Sequence, residues 1–321
     1  MRVLVVGAGA LGGYFGGRLL QAGRDVTFLV RSRRAGELAA GGLNIKSPHG
    51  DLILHRPPTI LAEDIRETFD LILLSCKAYD LHGAMESIAA AVGPETLILP
   101  LLNGMSHLDA LDERFGRPHV LGGQCVIAAT LDPAHTIVHL NDRHTLAFGE
   151  RDGALSDRVR AVADTLGHAG FDARLSDRII PEMWEKWVFL ATLASATCLM
   201  RAPLGDISSS PGGGDLIRGI FAECRAVAET AGYPPSAAFL DQALAALTAA
   251  GSPLTASMLR DIEGGAPIEA DHIVGDLLRR RSTGHAERSE PSLLALAFTH
   301  LKSYEARRSR TQSAARPREN L

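Results

Sequence analysis

Residues 2–30 read RVLVVGAGALGGYFGGRLLQAGRDVTFLV. The run RVLVV is β-branched and ends on Gly7, the pattern of a short buried strand. Residues 11–22 then have helical character and stop at Gly23, a plausible glycine just past a helix end. DVTFLV at 25–30 is a second strand. Strand, turn, helix and strand in so short a stretch form the repeating unit of a parallel sheet.

The turn itself is Gly7-Ala8-Gly9-Ala10-Leu11-Gly12, a G-x-G-x-x-G. Alone the pattern is weak; between a strand and a helix it gains its dinucleotide-binding meaning. The first glycine allows the tight turn, the second lets backbone reach a pyrophosphate, and the third lets helix pack on strand. The helix N-terminus then offers free N–H groups to the phosphates. Six of the 32 glycines lie between Gly7 and Gly17, an excess attributed to this turn. The plain alternative is a glycine-rich turn with no ligand.

The end of the second strand selects the cofactor. A carboxylate there suits the ribose 2′-hydroxyl of NAD. Here the chain reads Val30-Arg31-Ser32-Arg33-Arg34, with no carboxylate before Glu37. Arginine can hold a 2′-phosphate through two parallel hydrogen bonds. The expectation is NADP(H), with Arg31 as its main phosphate contact, against a merely solvated basic turn.

Further along, 70–76 and 96–102 read as buried strands with a helix over 80–92 between them. A hairpin is expected at 43–54, antiparallel strands added to the parallel sheet within 119–149, a helix over 156–169 and a short strand near Phe171. After about residue 178 strand signals vanish. Helical stretches follow at 181–201, 213–231, 236–250, 254–263, 268–281 and 290–306. SSSPGGG at 208–214 reads as a flexible connection. The expected division is 1–177, 178–306 and a disordered tail over 307–321, which lacks apolar periodicity.

Composition accords with two soluble domains. The chain has 321 residues, 46% apolar and 22% charged. A net charge of −4 argues against nucleic acid as partner. No apolar run reaches membrane-spanning length. Nor is the glycine-interrupted N-terminus read as a targeting signal. The four cysteines form no CxxC and accord with reduced thiols in a cytoplasm. The twelve histidines show no metal-ligand spacing, so no metal is expected. An apolar helical second half is compatible with a homodimer without requiring one.

Lys77 and Asn103-Gly104 each follow directly on a predicted buried strand. Ligands of open α/β sheets sit outside those strand ends. A surface lysine and a turn-forming Asn-Gly are the plain alternatives. Lys186 lies in Met183-Trp184-Glu185-Lys186-Trp187-Val188-Phe189-Leu190, on a helix apolar nearly all round. Burial favours the neutral form, which makes the lysine's ammonium a better proton donor near neutral pH. Equally, its stem can pack while its head reaches water or pairs with Glu182.

In order and spacing these features resemble the ketopantoate reductase (2-dehydropantoate 2-reductase) family. They are the glycine turn with Arg31, Cys76-Lys77-Ala78, Leu102-Asn103-Gly104, Trp184-Glu185-Lys186, and Ser257-Met258-Leu259-Arg260-Asp261-Ile262 followed by Ile268-Glu269-Ala270-Asp271. The resemblance implies an α/β Rossmann domain followed by an all-helical domain of the 6-phosphogluconate dehydrogenase type. It implies reduction of a 2-oxo acid by NADPH. On it, Lys186 matches the general acid and Glu269 the carboxylate supporting it. Ser257 and Asn103 match substrate contacts. Gly7, Gly9, Ala10, Leu11, Gly12, Arg31, Lys77 and Asn103 fall on the cofactor side. One departure stands out: the family carries asparagines four and eight residues after the lysine, where this chain has Leu190 and Ala194. Their loss leaves a more apolar wall and points to a second reading, a more apolar 2-oxo acid or ketone. A non-catalytic NADPH sensor is the third.

Overall fold

The structure, a computed structural model, describes residues 1–282 and 292–315. The chain divides into two compact units, Met1–Met183 and Trp184–Leu321. The division falls six residues beyond the expected one, inside a continuous helix.

In the first unit the order is β1 (Val3–Val6), α1 (Ala10–Gln21), β2 (Val26–Leu29), α2 (Ser32–Gly41), β3 (Leu43–Lys46), β4 (Leu52–Leu54), β5 (Thr59–Ile60) and β6 (Leu71–Leu74). Then come α3 (Leu81–Ile88), β7 (Leu97–Pro100), α4 (Ser106–Phe115), β8 (Gly122–Leu131), β9 (Ile137–Gly149), α5 (Asp157–Leu166) and β10 (Asp172–Leu175). Five strands form a parallel sheet in the order β5-β2-β1-β6-β7. The chain reverses direction across the sheet beside β1, so the crevice at the ends of β1 and β6 is where such sheets take ligands. Every residue of β1, β6 and β7 is buried, which is why they read as unbroken apolar runs.

The hairpin expected at 43–54 is present as β3 and β4. The added strands form a sheet of their own, β10-β9-β3-β4 with β8 on β9, instead of widening the parallel one. Val120 still bridges Ile98 on β7 before the chain turns into β8.

α1 lies between the two sheets. A Cβ on Gly16 would meet the Phe28 ring at 2.6 Å, on the parallel sheet. One on Gly17 would meet Ile45 at 2.9 Å, and one on Gly13 would run into Ile137, both on the second sheet. Glycine costs a helix about 1 kcal/mol per position relative to alanine. Here that cost is offset by close packing on both sides. The glycine excess is thus only half explained by the turn; Gly13, Gly16 and Gly17 serve the core.

The second unit is helical. α6 (Ile179–Met200) carries the chain into it, followed by α7 (Leu204–Ser209), α8 (Gly213–Thr230), α9 (Ala237–Leu247) and α10 (Ser257–Glu263). A π-helical turn, Asp271–Gly275, leads into α11 (Asp276–Ser282), and α12 spans Leu293–Ala315. Residues 191–198 are all buried, so α6 runs through the core of its unit.

Two expectations are corrected here. SSSPGGG is not a flexible connection: it ends α7, turns tightly over 210–212 and begins α8. Gly212 adopts φ +77°, and Gly213 is pressed against the Ile207 carbonyl so closely that no side chain fits. The tail expected to be disordered from 307 is helical as far as Ala315. Polar helix formers continue a helix already anchored by buried Leu294, Ala297 and Leu301. Arg308 Nε also donates to the Gly265 carbonyl at 2.8 Å. Residues 290–291 of the last expected helix and 316–321 of the tail lie outside the described residues.

Candidate active site

The glycine turn has the geometry its spacing implies. Gly7 takes φ +89°, a left-handed conformation that favours glycine, and its N–H donates to Leu29 at 2.9 Å. A Cβ on Gly12 would collide with the Gly7 carbonyl and the Ser75 hydroxyl. That hydroxyl donates to the Val6 carbonyl at 2.7 Å and braces the turn from β6. Sequence reasoning passed over Ser75; a small polar residue directly after a buried strand was the available signal. Gly9 is different, because a Cβ there would meet nothing within 4 Å. Gly9 caps α1 without a side-chain hydrogen bond, and the first turn holds no acidic residue. With Ala10 and Leu11 it leaves N–H groups and a positive dipole end open to an anion. The residues present therefore fit the pyrophosphate of a dinucleotide.

The basic stretch after β2 splits by role. Arg31 is exposed and reaches across to Asp80 at 3.1 Å. Arg34 is half-buried, donates to the Ala8 carbonyl at 3.1 Å and pairs with Glu37 at 3.1 Å. Arg34 thus anchors α2 to the glycine turn, while Arg31 and Arg33 both stay exposed to solvent. Glu37, the first carboxylate after β2, is held below the usual range by its bond to Arg34, with help from His135 and Arg33.

Lys77 lies three residues after β6 and caps the turn Ala78–Asp80 through its carbonyl. Asn103 lies three residues after β7, followed by Gly104 at φ +79°. Both side chains are half-buried, at the same ends of adjacent parallel strands as the glycine turn. The first unit therefore brings its expected cofactor residues to one edge of the sheet.

In the second unit, Lys186 is half-buried on α6 between Trp184 and Trp187, which are 2% and 1% exposed. The indole of Trp187 donates to the Ile273 carbonyl at 2.9 Å. Ile273 belongs to the π turn that begins two residues after half-buried Glu269. π turns concentrate at functional sites. Glu185 accepts from the Ser236 N–H at 2.8 Å, fixing the helix on another side. Ser257 is exposed at the first turn of α10. Its neighbour Ala256 donates to Thr197 Oγ1 on α6 at 3.4 Å. Leu190 is half-buried and Ala194 buried, while Thr192 and Thr197 turn their hydroxyls back to their own helix. Those hydroxyls do not replace the missing asparagine amides.

Glu182, offered by the sequence as a partner for Lys186, accepts from Arg174, from Ser176 at 2.8 Å and from Gln124 at 3.3 Å. Burial pushes its carboxyl up, but the bonds to Arg174 and Ser176 outweigh this and hold it below the usual range. Thiol chemistry finds no support in Cys198 or Cys224, whose thiols burial pushes up to about 12.

Spacing along the chain gave no hint of one further cluster. His49, His139 and His144 come together on the second sheet, with one ring nitrogen of each within 4.8 Å of the others.

The chain is similar to known proteins along both units. Residues 3–153 match the family Ketopantoate reductase PanE/ApbA, and 178–288 match its C-terminal domain. The chain is 34% identical over 306 residues to "Uncharacterized oxidoreductase YkpB" of Bacillus subtilis, covering 95% of this chain and 99% of that one. It is 27% identical over 297 residues to the 2-dehydropantoate 2-reductase of Mesorhizobium japonicum, covering 85% and 89%. Among solved structures, the 2-dehydropantoate 2-reductase of Geobacter metallireducens superposes with a TM-score of 0.84 at 28% identity, covering 94% and 99%. With its Rossmann-like first unit and helical second unit, the chain belongs to the ketopantoate reductase family of oxidoreductases.

Proposed function

We propose that this oxidoreductase reduces a 2-oxo acid with NADPH, and that 2-dehydropantoate (ketopantoate), giving pantoate, is its substrate. The observation that carries the reading is Lys186. It is a half-buried lysine beside the buried Trp184 and Trp187 on α6, in a family whose members include 2-dehydropantoate 2-reductases. Bound NADPH would supply the hydride to the ketone carbon. Lys186 then stabilises the developing alkoxide and protonates it, and Glu269 supports the lysine. Asn103 and Ser257 hold the substrate. Gly7, Gly9, Ala10, Leu11 and Gly12 bind the pyrophosphate, with Lys77 and Asn103 lining the nicotinamide side. NADPH is favoured over NADH because Arg31 stands exposed after β2, while Glu37 is already engaged by arginines. The reading includes a reducing cytoplasm, in which Cys76, Cys125, Cys198 and Cys224 remain as thiols.

A second reading keeps this chemistry and changes the substrate. Leu190 and Ala194 offer no amide where the family's asparagines hold a polar ligand. A hydrogen-bonding site and an apolar one can differ by orders of magnitude in discrimination. A panel of 2-oxo acids assayed by NADPH oxidation decides between them. A kcat/KM for ketopantoate of about 10⁴ M⁻¹s⁻¹ or more supports the first reading. A higher value for an acid with an apolar side chain supports the second. No turnover with any member, together with tight NADPH binding, would leave a sensor.

A further inference from the structure

We propose that His49, His139 and His144 form a binding site for a late divalent transition metal, zinc above all, on the face of the second sheet. Two of the three ligands come from β9 and are five residues apart. Regular alternation would send them to opposite faces. A bulge prevents this. The register pairs Ile127 with His144 and Ala129 with His139, so 140–143 stand opposite Ala128 alone. Asn141 holds the bulge by accepting from the Ala128 N–H at 3.0 Å. Such bulges re-aim side chains, and this one turns both imidazoles to one side.

The third ligand, His49, comes from the turn between β3 and β4. Its ring lies 3.7 Å from that of His144 and 5.7 Å from that of His139. His49 Nε2 meets the Asp142 carbonyl at 2.8 Å, which can only accept, so Nδ1 carries the lone pair. His139 Nε2 likewise meets the Arg143 carbonyl at 3.0 Å, and its Nδ1 faces the Ser47 hydroxyl at 3.0 Å. His144 Nδ1 is engaged by the Tyr14 hydroxyl at 2.8 Å, which leaves Nε2. His49 and His144 thus each have one nitrogen oriented by an oxygen and the other left for a metal, the outer-shell pattern of histidine sites, while His139 gives up its Ser47 contact at Nδ1 to bind.

An all-imidazole set suits zinc, copper or nickel and excludes calcium and magnesium, which take oxygen ligands. Zinc–nitrogen bonds of ~2.0 Å place tetrahedral ligands ~3.3 Å apart. Closing the present 4.8 Å span requires His49 to turn out of its stack, and His49 is the exposed member. Water would take the fourth position.

The test is calorimetric titration of the tag-free full chain with zinc, alongside the visible spectrum on adding cobalt(II). The expected result is one saturable equivalent, with the intense bands of four-coordinate cobalt. H144A and H49A should each weaken binding by more than the ~10–100-fold that loss of an outer-shell partner costs, and Y14F should weaken it by about that range. H49A alters an exposed turn residue, so its reading does not depend on the buried substitutions folding. Binding that is unsaturable, or that survives both H49A and H144A, overturns the proposal.

Discussion

The indole nitrogen of Trp187 donates to the backbone carbonyl of Ile273 at 2.9 Å, tying the helix that carries Lys186 to the π turn that follows Glu269. Both partners are buried. W187F should therefore lose this buried bond and leave a small void. It should cost about 2–4 kcal/mol in urea unfolding and lower kcat more than it raises KM for the substrate. A stability loss with unchanged kcat would show that the bond serves folding alone.

Lys186 itself should be separable from binding. K186A should lower kcat by about 10²–10⁴-fold while the NADPH dissociation constant, read by fluorescence, stays within twofold.

The glycine turn yields a paired prediction. G9A places a methyl group in open space and should fold like the parent while losing NADPH affinity. G12A drives a methyl group into the Gly7 carbonyl and Ser75 and should lose about 1–3 kcal/mol of stability as well. Thermal unfolding without cofactor distinguishes them.

Arg31 should discriminate between cofactors. R31A removes one charge-assisted contact, worth about 1.5–3 kcal/mol, so NADPH should bind about 10- to 100-fold more weakly. NADH affinity should not change. Its exposed pair with Asp80 contributes about 0–1 kcal/mol, so the fold should be unaffected.

Glu182 predicts an acid sensitivity. Its folded pKa lies below the ordinary 4.5, so its contribution to stability is present above that pH and lost as pH falls through the folded value. E182Q should be less stable at neutral pH. Its stability should also fall less steeply than the parent's below about pH 4.5, as followed by urea unfolding across pH.

The parallel sheet was legible because β1, β6 and β7 are buried on both faces and leave unbroken apolar runs. Lys77 and Asn103 could be placed for the same reason, since each lies three residues beyond the end of such a strand. What stayed hidden depends on contacts between distant segments. Arg34 and Arg31 look alike in a run of arginines, yet only Arg34 reaches the Ala8 carbonyl. The histidine cluster needs a bulge that shifts the alternation of β9, and no linear spacing encodes it. The helical 307–315 segment was missed because apolar periodicity reports burial, and this part of α12 is largely exposed.

α1 has a consequence for how such sequences drift. Gly12, Gly13, Gly16 and Gly17 are each held by a neighbour that a methyl group would strike, whether or not a dinucleotide is bound. A relative that had abandoned its cofactor would still be selected to keep them, because its two sheets would otherwise be forced apart. Of this glycine-rich stretch, Gly9 alone faces open space, so Gly9 is the position whose loss would record a change of trade.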